Sequence, residues 1–456
     1  MTRAVLFVGV SALALGSVVL AQQNSVAVPP KADALPAPGK ASPKFSRPVP
    51  KPEGVMPQVP DGFSVSVYAE LQAPRMMVYA PNGDLFVSSP NANNITMLRD
   101  TNNDGVVDER SVYAAGSPPA PRGGGPAAGA GRGAGRAAGP PPQQPPPSVD
   151  GAGAPACMPV PAAEFVQRGP GTLAQPFGLA FHDGYLYVGN TGSLVRYKYS
   201  NGDLKAQGEP EKLMDLPAGG HSTRNVIFNQ AGTKMYVSVG SRSNNDAGED
   251  CRRAAILEFN PDGSGYRVFA SGIRNPVGLA WQPGTDRLWT AMNERDNLGD
   301  DLVPDYATSV QDGGFYGWPY SYIGKHYDPR YVGSQAALVN RAIVPDVILP
   351  AHAAALGITF YTGTQFPAKY RNGAFVALHG SWNRSAASGY KVVFVPMING
   401  KPGPIEDFLY GFLASNGVGE SPISPWGRPV GVTVARDGSL LVSDDTGNRI
   451  WRVRVR

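Results

Sequence analysis

One phrase recurs along this chain: a few apolar residues, a short turn built on Gly or Asp, then a strand of alternating hydrophobicity. Its six copies fall at residues 78–88 (VYAPNGDLFVS), 179–190 (LAFHDGYLYVGN), 226–240 (VIFNQAGTKMYVSVG), 279–292 (LAWQPGTDRLWTAM), 370–380 (YRNGAFVALHG) and 432–444 (VTVARDGSLLVSD). A hairpin of this kind cannot bury its own apolar face, so repeated copies must stack on one another, as the blades of a β-propeller do. The expected fold class is therefore all-β: a six-bladed β-propeller over residues 61–456, with inserted loops on the active-site face. No helical periodicity of any length competes with this reading, and a β-sandwich has no need of one phrase six times. Residues 62–69 (GFSVSVYA) and 449–455 (RIWRVRV) also alternate. Pairing them would close the ring and remove its open edges.

The two long gaps between copies hold insertions of different kinds. Residues 115–153 are mostly Gly, Pro and Ala, a composition that cannot bury a core and is expected to be disordered. Residues 303–348 are rich in aromatics and are expected to form an ordered, lid-like insertion over the top face. At the start, Arg3 precedes a small-residue apolar run ending in Val19-Leu20-Ala21. Residues 1–21 read as a signal peptide, so a periplasmic or secreted location is expected. Residues 22–60, rich in Pro and Ala, are expected to be a disordered tether. No later segment could span a bilayer, so the chain is not an integral membrane protein after cleavage. A net charge of +4 is too small to argue for nucleic acid. The two cysteines, Cys157 and Cys251, permit one disulfide in an exported chain, or two free thiols, and leave no haem-attachment motif.

Several polar residues stand where propeller loops meet. His221 opens HSTRNVIF directly before a repeat strand, where an imidazole could act as a general base. Arg224, Arg274 and Arg428 lie at strand starts, and Arg274-Asn275-Pro276-Val277-Gly278 nearly repeats as Arg428-Pro429-Val430-Gly431. With Lys391, these cations suit a small polyanion held at the channel mouth. Asn293-Glu294-Arg295-Asp296 with Asp300-Asp301 is oxygen-rich and free of His and Cys, a composition suited to calcium rather than zinc. Asp100 to Asp108 (DTNNDGVVD) reads equally as a calcium turn or a plain Asp-Gly turn.

With those residues in hand, the chain resembles the pyrroloquinoline-quinone-dependent soluble sugar dehydrogenases, the L-sorbosone dehydrogenase-like branch above all. The resemblance rests on GIRNPVGLAW, on NERD…GDD followed by GGFYGWP, and on WGRPVGV…DGSLLVSDDTGNRIWRV. It implies pyrroloquinoline quinone and Ca2+ as cofactors, a sugar or sugar aldehyde as substrate, and a separate electron acceptor of the cytochrome c or quinone type. Residue by residue, it implies His221 as general base and Arg274 and Asn275 as contacts of quinone and substrate. Lys391 and Arg428 would hold the cofactor's carboxylates and Gln175 would lie beside the substrate. The loop Arg295-Asp296 would seat calcium through backbone carbonyls, with side-chain ligation by Glu294 or Asp296 as the alternative. Two other readings remain on sequence grounds. A calcium-dependent lactonase on the same fold would not need the cations, and a non-catalytic binding propeller would not need His221.

Overall fold

The computed structural model describes residues 31–117 and 168–456. The expected signal peptide, the start of the tether, nearly all of the Gly/Pro-rich insertion and Cys157 lie outside the described residues. Six sheets of four or five strands make up the fold, each antiparallel through its four main strands. Blade 1 is Met77–Tyr79, Leu85–Ser89, Asn94–Arg99 and Glu109–Ala115. Blade 2 is Pro176–His182, Tyr185–Asn190, Ser193–Lys198 and Glu211–Asp215, and Gly169–Pro170 adds an edge. Blade 3 is Val226–Phe228, Met235–Val239, Ala255–Phe259 and Arg267–Ser271. Blade 4 is Pro276–Trp281, Leu288–Met292, Pro304–Ser309 and Val347–Ala351. Blade 5 is Ala355–Phe360, Ala374–Leu378, Lys391–Val395 and Glu406–Leu409. Blade 6 is Pro429–Val434, Leu440–Asp444 and Arg449–Val455, completed by the N-terminal strand Phe63–Glu70.

That last pairing closes the ring. Phe63 faces Val455 and Glu70 faces Arg449 in antiparallel register. The first strand of every blade touches the first strands of both neighbours, so six inner strands surround one axis. Glycines sit where they approach most closely. A Cβ on Gly278 would meet the Leu356 carbonyl of blade 5, and one on Gly431 would meet the Arg75 carbonyl of blade 1. This is the physical meaning of the repeated Pro-Val-Gly: proline begins the inner strand, and glycine lets the next blade pass.

Second strands such as Leu85–Ser89, Met235–Val239 and Ala374–Leu378 are buried throughout, because blades stack face to face. Between blades 5 and 6 the core is aromatic, with Phe63, Tyr370, Phe375, Phe394, Phe408, Trp426 and Trp451 in one cluster. The ring of Phe63 meets Phe366, Tyr370 and Phe408 edge-on, so the closing strand is fastened by packing as well as by its ladder.

Three expectations need adjustment. The fifth repeat, 370–380, holds only the second strand of its blade. The first strand, Ala355–Phe360, lies before a longer connection containing the 3-10 turn Ala368–Tyr370. Within 303–348, the ends are the two outer strands of blade 4, and the remainder packs against blade 3 and the loop at 244–247. Gly314–Phe315 extends blade 3 in parallel to Ala270 and Ser271, and Ser321–Tyr322 pairs with His326–Tyr327. The insertion is thus an ordered buttress: its aromatics find apolar partners such as Ile273, Leu302 and Tyr306 at the blade 3–4 boundary, and Tyr331 Oη accepts from Ala247 N and donates to Asn245 O. Residues 31–60 lie extended along the propeller. Gly39 N donates to Leu298 O, Lys44 N to Trp382 O, Arg47 N to Ile423 O and Val49 N to Pro425 O. A proline-rich strap needs no ladder of its own when loop carbonyls accept its amides.

Elsewhere, Cys251 is disulfide-bonded. The turn at 100–108 is closed by its own carboxylates, Asp100 accepting from the Gly105 amide at 2.7 Å. No helix among the described residues is long and apolar enough to cross a membrane.

Candidate active site

At the mouth of the axis, the residues that enter the inner strands converge on one cavity of about 250 Å³. Each blade contributes from the same place in its sequence: Arg75, Gln175, Thr223, Arg274 with Asn275, Ala354, and Arg428. His221, Arg242, Asn244, Glu294, Asp296, Asp305, His352, His379 and Trp382 complete the polar wall. Gln175, His352 and Ala354 hold positive φ values of 53°, 59° and 56°, conformations costly for residues with a Cβ.

His221 is half-buried. Its Nδ1 lies 2.9 Å from the Ser241 carbonyl, which can only accept, so Nδ1 carries the proton. Nε2 is left as a lone-pair acceptor. Burial, reinforced by the nearby Arg274 guanidinium, pushes the imidazole down to about 3, so it is neutral near pH 7.

Arg274 is held on all sides. Nε donates to Asn244 O at 3.0 Å, Nη1 to Glu294 O at 2.6 Å, and Nη2 to Asn244 Oδ1 at 2.9 Å and Asp296 Oδ2 at 3.3 Å. The aromatic buttress fixes this network, because Trp318 Nε1 donates to Asn244 O at 2.9 Å. Asp296 also faces His352 Nδ1 at 3.6 Å, while His352 Nε2 bonds Gly299 O at 2.9 Å. Burial alone would lower the His352 pKa, but the Asp296 carboxylate outweighs it and the net shift is upward. Asp305 receives the amides of Glu294 at 2.8 Å and Ala355 at 3.3 Å. Burial nevertheless pushes its carboxyl up to about 7.

A second histidine–carboxylate pair occupies another side of the cavity. His379 Nε2 lies 2.9 Å from Asp445 Oδ1, and Arg75 Nη1 lies 2.6 Å from Asp445 Oδ2. Burial, with Arg428 adding to it, pushes His379 down to about 4. Burial opposes ionisation of Asp445, but His379 and Arg75 prevail and hold it near 2. Arg428 also lines the cavity and donates to His379 O at 2.9 Å and Gly380 O at 2.8 Å. The exposed Arg242 adds a fourth guanidinium to the wall.

The cavity thus gathers His221, Gln175, Arg274, Asn275, Arg428, Glu294 and Asp296 from the sequence candidates. The others stand elsewhere. Arg224 is fully buried, donating to His221 O at 2.7 Å and Pro217 O at 2.6 Å, while Asp300 and Asp301 accept from Ser385 and Arg384. Lys391 begins the third strand of blade 5, away from the axis, with its amine 2.6 Å from Asp407 Oδ1. Burial lowers its pKa against the pull of Asp407. Arg295 turns its side chain into the buttress, donating to Glu294 Oε2 at 2.9 Å, Asp328 Oδ2 at 2.9 Å and Ser321 O at 2.6 Å. Its guanidinium is therefore committed to the buttress rather than to the cavity.

The acidic segment does not close into a carboxylate cage. Glu294 is committed to Arg295, and Asp296 to Arg274 and His352. Among the described residues, no three His, Cys, Asp or Glu side chains converge as metal ligands. Two buried oxygens in this region, Asn275 Oδ1 and Glu294 Oε1, have no hydrogen-bond partner. The rest of the cavity suits an anion better, since four guanidiniums line it and His221 and His379 present neutral rings.

Sequence reasoning missed Arg75, Arg242, Asn244, Asp305, His352 and Trp382 as parts of this wall. Arg75 was within reach, because it enters the inner strand of blade 1 as Arg428 enters that of blade 6. The first repeat carries no Pro-Val-Gly to mark the place.

Comparison with known proteins agrees with this architecture. Residues 187–381 match the Glucose / Sorbosone dehydrogenase family and residues 329–456 a TrAA12-like family. The chain is 33% identical over 298 residues to an uncharacterized protein of Borreliella burgdorferi, covering 62% of this chain and 76% of that one. It is 33% identical over 299 residues to a pyrroloquinoline quinone-dependent pyranose dehydrogenase of Coprinopsis cinerea, covering 51% of this chain and 39% of the relative. The holo form of that fungal protein's PQQ domain superposes with a TM-score of 0.65 at 20% identity, covering 90% of this chain and 100% of the domain. A calcium structure of the Trichoderma reesei Carbohydrate-Active Enzymes Family AA12 gives 0.64 at 18% identity, with coverages of 88% and 97%.

Proposed function

The chain belongs to the pyrroloquinoline-quinone-dependent soluble sugar dehydrogenase family, and from that premise we propose that it oxidises a sugar or sugar aldehyde of the aldose or sorbosone type. The observation that carries this reading is the meeting of four arginines with His221 at one axial cavity. Bound pyrroloquinoline quinone supplies the two-electron acceptor. Arg75, Arg242 and Arg428 would hold its carboxylates through the guanidinium N–H groups that their protein partners leave free. Arg274 is saturated by its neighbours and acts as a fixed positive charge beside His221. The His221 Nε2 takes the proton of the anomeric hydroxyl as hydride leaves the same carbon. Ser241 O keeps the tautomer in which Nε2 is the acceptor. A free imidazole near 3 is a weak base; anionic carboxylates placed beside Arg274 would offset its charge and raise that value.

Calcium is proposed as a second cofactor. Asn275 and Glu294, each with a partnerless buried oxygen, are the residues that would offer protein ligands to it. No step above depends on the metal. The reaction needs a separate electron acceptor, and the proposed location is periplasmic or secreted.

The test mixes purified protein with pyrroloquinoline quinone, with calcium or with a calcium chelator, and follows dye reduction on a panel of aldoses and sorbosone. Quinone-dependent turnover is expected with at least one of them. Absence of quinone binding would remove the dehydrogenase reading. In His221→Ala, kcat should fall about 10²–10⁴-fold while quinone affinity stays; retained turnover would move the base to another residue, His379 first.

A further inference from the structure

The strap formed by residues 31–60 passes along the rim of the cavity. Gly39 N bonds Leu298 O at 2.8 Å, next to the cavity residue Asn297, and Lys44 N bonds Trp382 O at 2.8 Å. The Lys44 amine then fastens the strap to three carbonyls of the loop at 417–421: Gly417 at 2.5 Å, Gly419 at 2.6 Å and Ser421 at 3.2 Å. These anchors set the Phe45 ring on Trp382, with centroids 5.3 Å apart and planes 11° from parallel. Phe45 is nevertheless 68% exposed. A ring retained for stability would be expected to bury itself; this one is pinned and left open to water at the edge of a reactive cavity. The remaining wall is mostly polar, and its other aromatic ring, Phe177, is faced by the Arg75 guanidinium at 5.7 Å.

A pyranose ring has an apolar C–H face that stacks on flat aromatic rings while its hydroxyls bond elsewhere. Resting on the sugar-oxidising reading above, we propose that Phe45, carried by the strap and seated on Trp382, is a specificity-determining residue. It forms an outer subsite for the second ring of an oligosaccharide whose reducing-end ring occupies the cavity. A monosaccharide held within the cavity does not reach it.

Two readouts test this on the full chain. The first is kcat/KM for glucose and for cellobiose or maltose with the quinone-loaded protein. The second is binding of the same sugars to quinone-free protein, followed by tryptophan fluorescence. Phe45→Ala should lower the disaccharide values about three- to ten-fold and leave the glucose values and the melting temperature unchanged. Phe45→Tyr should restore them. Lys44→Met, which frees the strap without removing the ring, should produce the same selective loss. Equal losses for both sugars, or none, would overturn the proposal. If the wild type turns over no sugar but still binds the disaccharide through Phe45, the subsite stands and the activity reading fails.

Discussion

Arg428 and Lys391 are cations on neighbouring blades, and the chain uses them in opposite ways. Arg428 enters the inner strand of blade 6, where all six blades converge, and its guanidinium lies on the cavity wall. Lys391 begins the third strand of blade 5, where neighbours are blade faces and solvent, and it is neutralised by Asp407 at 2.6 Å. The same charge therefore lines the cavity at one position of the blade and is paired locally at another. In a propeller, the place in the blade decides what a polar residue can reach. Inner-strand entrances meet at the axis, whereas third and fourth strands meet only their own sheet and the next blade.

The contrast can be broken at both ends. The largest effect belongs to the outer side. Removing residues 449–456 opens the ring and strips Trp451 from its aromatic cluster, so calorimetry should show no cooperative melting near the wild-type temperature. Trp451→Ala alone should cost about 3–5 kcal/mol. Unchanged melting would mean that closure does not stabilise the fold.

Acid should act next, through the cavity. His379 is pushed down to about 4, so the unfolded chain takes up its proton first. Its contribution to stability is complete above about 6.5 and is lost as pH falls toward 4, roughly 3 kcal/mol in all. In His379→Asn, denaturant titrations across that window should show a shallower loss.

Arg428→Met should weaken quinone binding about 10–100-fold, whereas Lys391→Met should leave it within two-fold and cost about 1 kcal/mol of stability, since Asp407 is partly exposed. Equal binding losses would erase the distinction between the two positions. The smallest effect is local. Arg274→Met removes one of the charges that depress His221, so its imidazole pKa, followed by NMR, should rise from about 3 but remain below 6.5, because burial is the larger cause.

Much of this was legible in the chain. Six copies of one phrase gave six blades, and the near-identity of the Arg274 and Arg428 segments marked two inner-strand entrances. The fifth copy was misplaced by one strand because the turn between Phe360 and Ala374 is long and carries a 3-10 segment. Lys391 looks like a site residue by neighbourhood, yet side-chain direction depends on packing that linear spacing does not encode, and the Arg295 guanidinium follows the same rule. Arg295 turns toward Asp328, thirty-three positions away. The strap was opaque for a different reason: its amides are satisfied by loop carbonyls from distant blades, and its own composition carries no trace of those partners.

The central claim is that the ring of inner-strand entrances is the quinone site. Equilibrium titration of the quinone-free protein with pyrroloquinoline quinone tests it most directly, with the wild type beside Arg242→Ala/Arg428→Met. Two lost guanidinium contacts predict roughly hundredfold weaker binding in the double variant, with circular dichroism and melting showing an intact propeller. Equal affinity in both proteins, or no binding by the wild type, would contradict the account.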